Sequence, residues 1–173
     1  MTQVFVKKSH IHGKGVFAKR DFAAGERILA IDDSHVVDDP SKLTAYQNKY
    51  QCDWLKNKFV LMQPPERYIN HSCNPNSYVK TIRGIRTLLA MKDIQKGEEI
   101  TYDYAINGYY ESADPCHCGS KKCRQILNCD FFQLPEALQQ KYLPYLDNWF
   151  VKEFKEKVEE LKRGKDRTQA LIL

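Results

Sequence analysis

The sequence predicts a mainly β fold of short, mostly antiparallel strands, followed by a helical C-terminal extension. Short apolar runs separated by turn signals fill the chain before Leu134, and strands do not alternate with helices there. From Leu134 onward the apolar residues recur at helical spacing instead. The change of period indicates a β part followed by a helical part.

The composition is that of a folded domain with a real core. The chain has 173 residues, of which 42% are hydrophobic and 28% charged, with a net charge of +5. No apolar run approaches the roughly 18 residues that span a bilayer, and the N-terminus lacks the apolar stretch of a signal peptide. We therefore expect a protein of the cytoplasm, or of the nucleus in a eukaryote, that is not secreted and requires no membrane. Without a dense Lys/Arg block, a nucleic acid is not required either.

Turn signals divide the β part into short segments. Asp32 to Ser41 is polar and predicts a loop, and Arg83-Gly84 predicts a hairpin turn. The segment 42–54 is ambiguous, because Leu43, Tyr46, Tyr50 and Trp54 recur at helical spacing, and this spacing predicts a packed face. The predicted strands are 4–6, 16–18, 26–31, 59–62, 78–82, 85–90 and 98–104.

Two helices are predicted in the extension. Pro135 and Glu136 suit a helix start, because proline at the first turn loses no hydrogen bond and an acid favours the positive end of the helix dipole. A second helix is predicted over 148–162. Its apolar stripe is Phe150, Phe154, Val158 and Leu161, and its exposed charge pairs are Glu153 with Lys157 and Glu159 with Arg163.

Residues 70–76, N-H-S-C-N-P-N, carry more hydrogen-bonding side chains than a core strand accommodates. Pro75 removes a backbone donor, and Asn and Ser compete with regular pairing, so the chain turns here. One interpretation is a self-capped surface loop. The other is a loop that contacts a ligand with its backbone and gives Cys73 to a metal.

The cysteines indicate a metal site. Cys116, Cys118 and Cys123 form a C-x-C-x4-C pattern that places three thiolates within eight residues. Three ligands leave a tetrahedral structural zinc site incomplete, so a fourth must come from elsewhere. The candidates are Cys73, Cys129, Cys52 and His117, of which Cys73 is favoured. Without a secretory signal, disulfides are not expected.

Two further stretches carry potential chemistry. In H-I-H-G-K-G-V-F-A, residues 10–18, the two glycines permit a turn or a close backbone approach, but a lone G-x-G is weak evidence for a ligand, and His10 and His12 are expected to be exposed. In E-I-T-Y-D-Y, residues 99–104, alternation turns Asp103 away from both tyrosines. Core packing is favoured over pocket lining for Tyr46, Tyr50 and Tyr68.

The motifs at 70–76, 99–104 and 116–123, in this order along the chain, resemble the SET-domain family of protein lysine methyltransferases. The family carries an N-H-S-C-x-P-N loop, an E-(L/I)-T-(F/Y)-D-Y strand and a C-x-C-x4-C post-SET zinc loop, and its opening G-x-G segment is similar to 12–18. The resemblance covers about 3–129, and the compact, stand-alone architecture resembles that of microbial members. It implies a SET domain over 3–110, a post-SET zinc loop over 111–129 and a helical extension over 130–173. The 70–76 loop and the 99–104 strand are expected to cross as the family's pseudoknot.

The resemblance also implies roles for individual residues. Gly13, Lys14, Gly15, Asn70 and His71 are expected to bind S-adenosylmethionine, and Cys73, Cys116, Cys118 and Cys123 to hold a structural zinc. Tyr104 is expected to be the active-site tyrosine. Tyr102 stands at a Phe/Tyr position where tyrosine limits the number of methyl groups added. The implied activity is S-adenosylmethionine-dependent protein-lysine N-methylation, mono- or di-, of a protein substrate that presents a lysine.

The alternative is a non-catalytic zinc-stapled module that keeps the fold and binds a peptide or nucleic acid. Tyr104, Asn70 and His71 are all intact, which favours the enzyme. The role of the extension stays open between covering the cofactor, docking a partner and stabilising the core. Phe131 and Phe132 are placed at one wall of the lysine channel.

Overall fold

The computed structural model of the protein describes residues 2–55 and 58–170. The described residues form nine short strands, β1 to β9, which are Val4–Lys8, Lys14–Ala18, Arg27–Ala30, Cys52–Leu55, Lys58–Leu61, Asn70–His71, Ser77–Ile82, Ile85–Ala90 and Glu99–Tyr102. They also form four α-helices, α1 to α4, which are Ala45–Tyr50, Glu136–Tyr142, Asn148–Glu153 and Lys155–Ala170. The predicted mainly β fold with a helical C-terminal part is confirmed.

The strands form three small sheets. The first has the order β1-β2-β9-β6, in which β6 and β9 are parallel and the other pairs antiparallel. The second has the order β3-β8-β7, and β4 pairs with β5. The β7–β8 hairpin turns at Arg83 and Gly84, whose φ angles of 51° and 82° match the twist of the strands as a type I′ turn does.

The described residues form two hydrophobic cores. One lies among the sheets and contains Val16, Leu88 and Ile100, which are fully buried. The other joins the helices to the segment after β9, and contains Ala105, Phe131 and Phe150. The extension is therefore packed onto the β part through a shared apolar core, which stabilises both.

The structure of segment 42–54 differs from the predicted packed helical face. Only Ala45–Tyr50 is helical, capped by Thr44 and Gln47, and β4 begins two residues later. The helix has no buried residue, and Tyr46 and Tyr50 are 58% and 45% exposed. The predicted packed face is wrong because the helix is too short to carry a stripe across it. The side chain of Trp54 lies outside the described part of the structure.

The second predicted helix is broken in two at Phe154, whose φ of −107° and ψ of 37° end α3 before α4 begins. Its apolar stripe is confirmed, with Phe150 and Val158 buried in the second core. Of the predicted charge pairs, Glu159 pairs with Lys155 at 3.9 Å rather than with Arg163. Among the described helices, none has the length and apolar character needed to cross a membrane.

Candidate active site and metal centre

The 70–76 loop is fixed to β9 by one buried side chain. Asn76 donates from Nδ2 to the carbonyl of Glu99 at 2.8 Å, and its Oδ1 accepts from the amide of Thr101 at 2.9 Å. Next to it, the Ser77 hydroxyl donates to the carbonyl of Thr101 at 2.9 Å. All residues of the loop except Asn74 are buried, so the interpretation as a self-capped surface loop is wrong. The pairing brings together the two segments that the predicted pseudoknot requires to cross.

The Asn70 side chain hydrogen-bonds the G-K-G turn and also β9. Its Nδ2 lies 3.3 Å from the carbonyl of His12, 3.0 Å from that of Lys14 and 2.8 Å from Oε1 of Glu99. Gly13 has a φ of 46°, and a Cβ on Gly15 would collide with the Glu99 carboxylate. Both glycines are therefore required by the backbone and packing of this turn.

Tyr104 lies at the centre of the site. Its hydroxyl donates to the carbonyl of Ile69 at 2.8 Å, and its amide donates to Nδ1 of His71 at 3.2 Å. The ring lies 4.8 Å from that of Tyr102 and 5.2 Å, edge-on, from that of His71. Burial raises the pKa of both tyrosines above the usual value, so both hydroxyls stay protonated. Burial also lowers the pKa of His71 to about 4, so the ring is neutral.

Two adjoining cavities of about 400 and 410 Å³ open beside Tyr104. Cavities of this size hold cofactors and small ligands, for which roughly 300–1,000 Å³ is usual. Both are lined by His12, Tyr50 and Asn70. The first also reaches Gly13, Lys14, Tyr46 and Tyr68, and the second His71, Cys116, His117 and Cys118.

These cavities settle where several predicted residues lie. Gly13, Lys14, Asn70 and His71 line them, whereas Gly15 lines neither and lies beneath the turn, against Glu99. The preference for core packing of Tyr46, Tyr50 and Tyr68 is wrong, because all three line the first cavity.

A third, smaller cavity of about 50 Å³ adjoins the first, since Tyr102, Tyr104 and Asp53 line both. Glu66 and Trp149 also line the smaller one. Tyr104 thus lines all three cavities. Phe131 and Phe132 do not line the smaller cavity; they pack against Phe150 in the helical core, because the chain turns away from the site after Cys129.

Four cysteines converge beside His71. The sulfur atoms of Cys73, Cys116, Cys118 and Cys123 all lie within 4.8 Å of one another, and those of Cys73 and Cys116 are 3.8 Å apart. A tetrahedral zinc with bonds of about 2.3 Å places its sulfur ligands about 3.8 Å apart, so this donor set fits Zn²⁺. Cys73 is the candidate for the fourth zinc ligand that lies in this cluster. Cys52 and Cys129 instead line the first large cavity.

Polar groups around the cluster suit thiolates. The amides of Arg124 and Gln125 donate to the sulfurs of Cys73 and Cys123, each at 3.4 Å. Nε2 of His71 lies 3.3 Å from the Cys73 sulfur; because Nδ1 accepts from Tyr104, Nε2 carries the proton and donates. One imidazole therefore links the cysteine cluster to Tyr104.

Sequence reasoning missed Arg124, which binds Asp103. Its Nη1 and Nη2 lie 2.6 and 2.8 Å from the two carboxylate oxygens, and the Tyr142 hydroxyl donates to the same carboxylate at 3.3 Å. Asp103 is fully buried and occupied by these partners, which leaves it no general-base role. The two residues are 21 positions apart, and no local pattern signals the contact.

The family model described as "SET domain" matches residues 13–105. This chain belongs to the SET-domain family. The match includes the G-K-G turn, the 70–76 loop and both tyrosines, and it ends before the cysteine-rich loop and the extension.

Longer SET proteins are among the relatives. Histone-lysine N-methyltransferase trithorax of Drosophila virilis is 36% identical over 141 residues, covering 72% of this chain and 4% of the relative. An H3 lysine-36 specific histone-lysine N-methyltransferase of Debaryomyces hansenii is 46% identical over 135 residues, covering 69% of this chain and 18% of the relative. A solved structure from Plasmodium falciparum, described as a histone methyltransferase, has a TM-score of 0.47 and 24% identity, and the match covers 59% of this chain and 92% of that one. This SET chain spans a small part of the curated relatives.

Proposed function

We propose that this SET-domain chain is an S-adenosylmethionine-dependent protein-lysine N-methyltransferase that acts on a lysine side chain of a protein substrate. The observation that carries the proposal is the position of Tyr104, which lines the two large cavities and the small one that adjoins them. A methyltransferase of this kind needs a cofactor site and a lysine site that meet at one point. The relatives named as histone-lysine methyltransferases support the same reaction.

We assign the cofactor to the large cavities. Gly13, Lys14, Asn70 and His71 line them, and we expect these residues to contact the cofactor. Tyr50 and Tyr68 add aromatic side chains to the lining. Gly15 acts by letting the turn approach Glu99. S-adenosylmethionine, when bound, supplies a methyl group on a sulfonium centre.

The tyrosines suit the handling of the amine. The Tyr104 hydroxyl donates its hydrogen bond to the carbonyl of Ile69. The lone pairs of its oxygen are therefore free to accept an N–H from the target amine and orient it. The amine must be neutral to attack, whereas free lysine titrates near about pH 10.4. The buried aromatic wall disfavours the ammonium form and lowers the amine's pKa. Protonated tyrosines add no negative charge that would reverse this effect.

We propose that Tyr102 limits the reaction to one or two methyl groups. Its ring lies 4.8 Å from that of Tyr104, and it lines the small cavity and one of the large ones. A second hydroxyl at this position can hold a water molecule in the space that a further methyl group would need.

The four cysteines would hold a structural zinc that fixes the loop beside His71. We propose the divisions 3–110, 111–129 and 130–173 for the SET domain, the zinc loop and the extension. The extension shares a hydrophobic core with the β part, and this shared core supports a stabilising role for the extension. The relatives make the nucleus or cytoplasm the expected location.

Calorimetry of S-adenosylmethionine binding to protein of verified zinc content tests the proposal without a guess about substrate. We expect binding in the micromolar range or tighter that is lost in Asn70→Ala, because Asn70 holds the G-K-G turn. Methyl transfer to proteins of a cell extract, compared with Tyr104→Phe, then tests the reaction. A folded, zinc-loaded protein that binds no cofactor would favour the non-catalytic zinc-stapled module.

A further inference from the structure

Helix α1 lies beside the large cavities without a buried side chain to hold it there. The helix spans Ala45–Tyr50, and none of its residues is buried, so no apolar core fixes its position. Its C-terminal end is tied to the segment after β5, because the amide of Met62 donates to the carbonyl of Gln51 at 2.8 Å. A short element with so little burial opens locally at a lower free energy than the cores do.

Two side chains from the end of α1 contact two different segments of the chain. The ring of Tyr50 stacks on that of His12, beside the G-K-G turn, with the centroids 5.5 Å apart and the planes 23° from parallel. Nζ of Lys49 donates to Oδ1 of Asp114 at 3.1 Å. Asp114 lies two positions before Cys116, within the proposed zinc loop. The helix therefore connects the G-K-G turn to the zinc loop.

These contacts lie at the large cavities. His12, Lys49, Tyr50 and Asp114 each line both of them. A residue that lines both cavities lies where the two adjoin, so a ligand that extends from one into the other passes beside these contacts. S-adenosylmethionine is such a ligand, because the proposed function assigns it to both cavities. Contacts at this position are placed to control how the cofactor enters and leaves.

The ion pair of Lys49 with Asp114 is suited to repeated opening. Its partners are about half exposed, with side-chain exposures of 51% and 48%. Water and salt screen a pair of this kind, so its contribution is small and it breaks easily. A buried pair such as that of Arg124 with Asp103 would cost far more to break in every catalytic cycle.

We infer that α1 is a latch over the cofactor site, which the pair of Lys49 with Asp114 closes after S-adenosylmethionine binds and which opens to release the product cofactor. This inference rests on the proposed function, because it concerns the exchange of the cofactor at the same site. Lys49 and Asp114 are positioning residues here. They hold the helix against the zinc loop, and the methyl transfer itself does not require them.

Direct contact of either charge with the cofactor is the competing explanation, and exchanging the two charges separates the two. If the residues act through each other, Lys49→Glu and Asp114→Lys are each harmful, and the double variant restores an attractive pair. If each residue contacts the cofactor, the double variant carries both charges at the wrong positions and is at least as defective as the single variants.

The test measures the dissociation rate of S-adenosylmethionine by surface plasmon resonance with zinc-loaded protein immobilised. The variants are Lys49→Glu, Asp114→Lys and the double variant that carries both changes. Lys152→Glu on α3 and Glu156→Lys on α4, at exposed positions, are the charge-matched controls. Thermal unfolding of each variant gives its stability, and methyl transfer to proteins of a cell extract is measured separately.

We expect each single variant to raise the dissociation rate about two- to fivefold, since an exposed ion pair contributes little. The double variant should return the rate close to that of the wild type, and the controls should leave it unchanged. Thermal stability should change little, because the pair lies at the surface. Salt should raise the dissociation rate of the wild type and lower that of Lys49→Glu, in which two acids face each other.

The possible results separate the latch from the proposed function. Equal dissociation rates in all variants, or a double variant no better than the single ones, overturn the latch and leave the proposed function standing. A dissociation rate that the charge exchange restores, without methyl transfer, supports the latch and overturns the proposed function. A folded, zinc-loaded wild type that binds no cofactor overturns both.

Discussion

Arg124 donates hydrogen bonds to both oxygens of the Asp103 carboxylate, at 2.6 and 2.8 Å. This pair joins the loop that carries Cys116, Cys118 and Cys123 to the end of β9. The same carboxylate lies 3.6 Å from Nδ1 of His71 and accepts from Tyr142 of α2. The cysteine cluster, the end of β9 and the extension therefore meet at one fully buried acid. A bidentate pair of this kind fixes the direction of both partners as well as their distance.

Replacing Arg124 with methionine should destabilise the fold strongly. Asp103 would remain buried without its cation, a loss for which about 3–5 kcal/mol is typical. The free energy of unfolding from urea denaturation measures it, and Arg163→Met, at an exposed position of α4, serves as the control. A loss as small as that of the control would mean that Asp103 is stabilised by other partners.

Removing zinc should disorder the cysteine loop and abolish cofactor binding. Purified protein is expected to contain about one zinc ion per chain, because four thiolates complete a structural site. Cys73→Ser should lower the zinc content measured by plasma mass spectrometry, whereas Cys52→Ser, outside the cluster, should not. Full cofactor affinity after chelation would contradict the placement of the zinc beside the active site.

The Tyr104 hydroxyl is expected to act in the reaction more than in the fold. Tyr104→Phe keeps the ring beside Tyr102 and His71 and loses the oxygen that we expect to orient the amine. Methyl transfer should fall by roughly 100-fold, since small errors in orientation carry a cost of that order. Calorimetry should find cofactor binding retained, and Tyr145→Phe, which lines none of the three cavities, should transfer normally. Equal rates in the two variants would remove Tyr104 from the mechanism.

Tyr102→Phe should raise the methylation state of the product. Removing this hydroxyl frees the space of the water that we expect it to hold, so a further methyl group fits. Mass spectrometry of the product at matched turnover gives the distribution of mono-, di- and trimethyl-lysine. The idea fails if that distribution is unchanged while the variant still turns over.

Short-range patterns were enough for most of the strands and for three of the four clustered cysteines. The Arg83-Gly84 turn, the apolar stripe of the extension and the C-x-C-x4-C spacing each depend on neighbours along the chain, and all are present in the structure. Segment 42–54 was misjudged because helical spacing in a short segment says nothing of what the segment faces. Tyr46 and Tyr50 turn toward a cavity, which periodicity alone does not reveal.

Local residue patterns are sufficient to predict the β-then-helical order, the turns and the three-cysteine loop, because backbone preferences and ligand spacing act over a few residues. Which distant groups meet depends on the tertiary structure. The parallel pairing of β6 with β9 places the 70–76 loop beside Tyr104, and Cys73 joins Cys116 across 43 positions. The tertiary structure also buries Glu66 and brings Trp149 of the extension to the small cavity. Contacts of this range depend on the packing of whole strands and helices, for which no local pattern of residues is a signal.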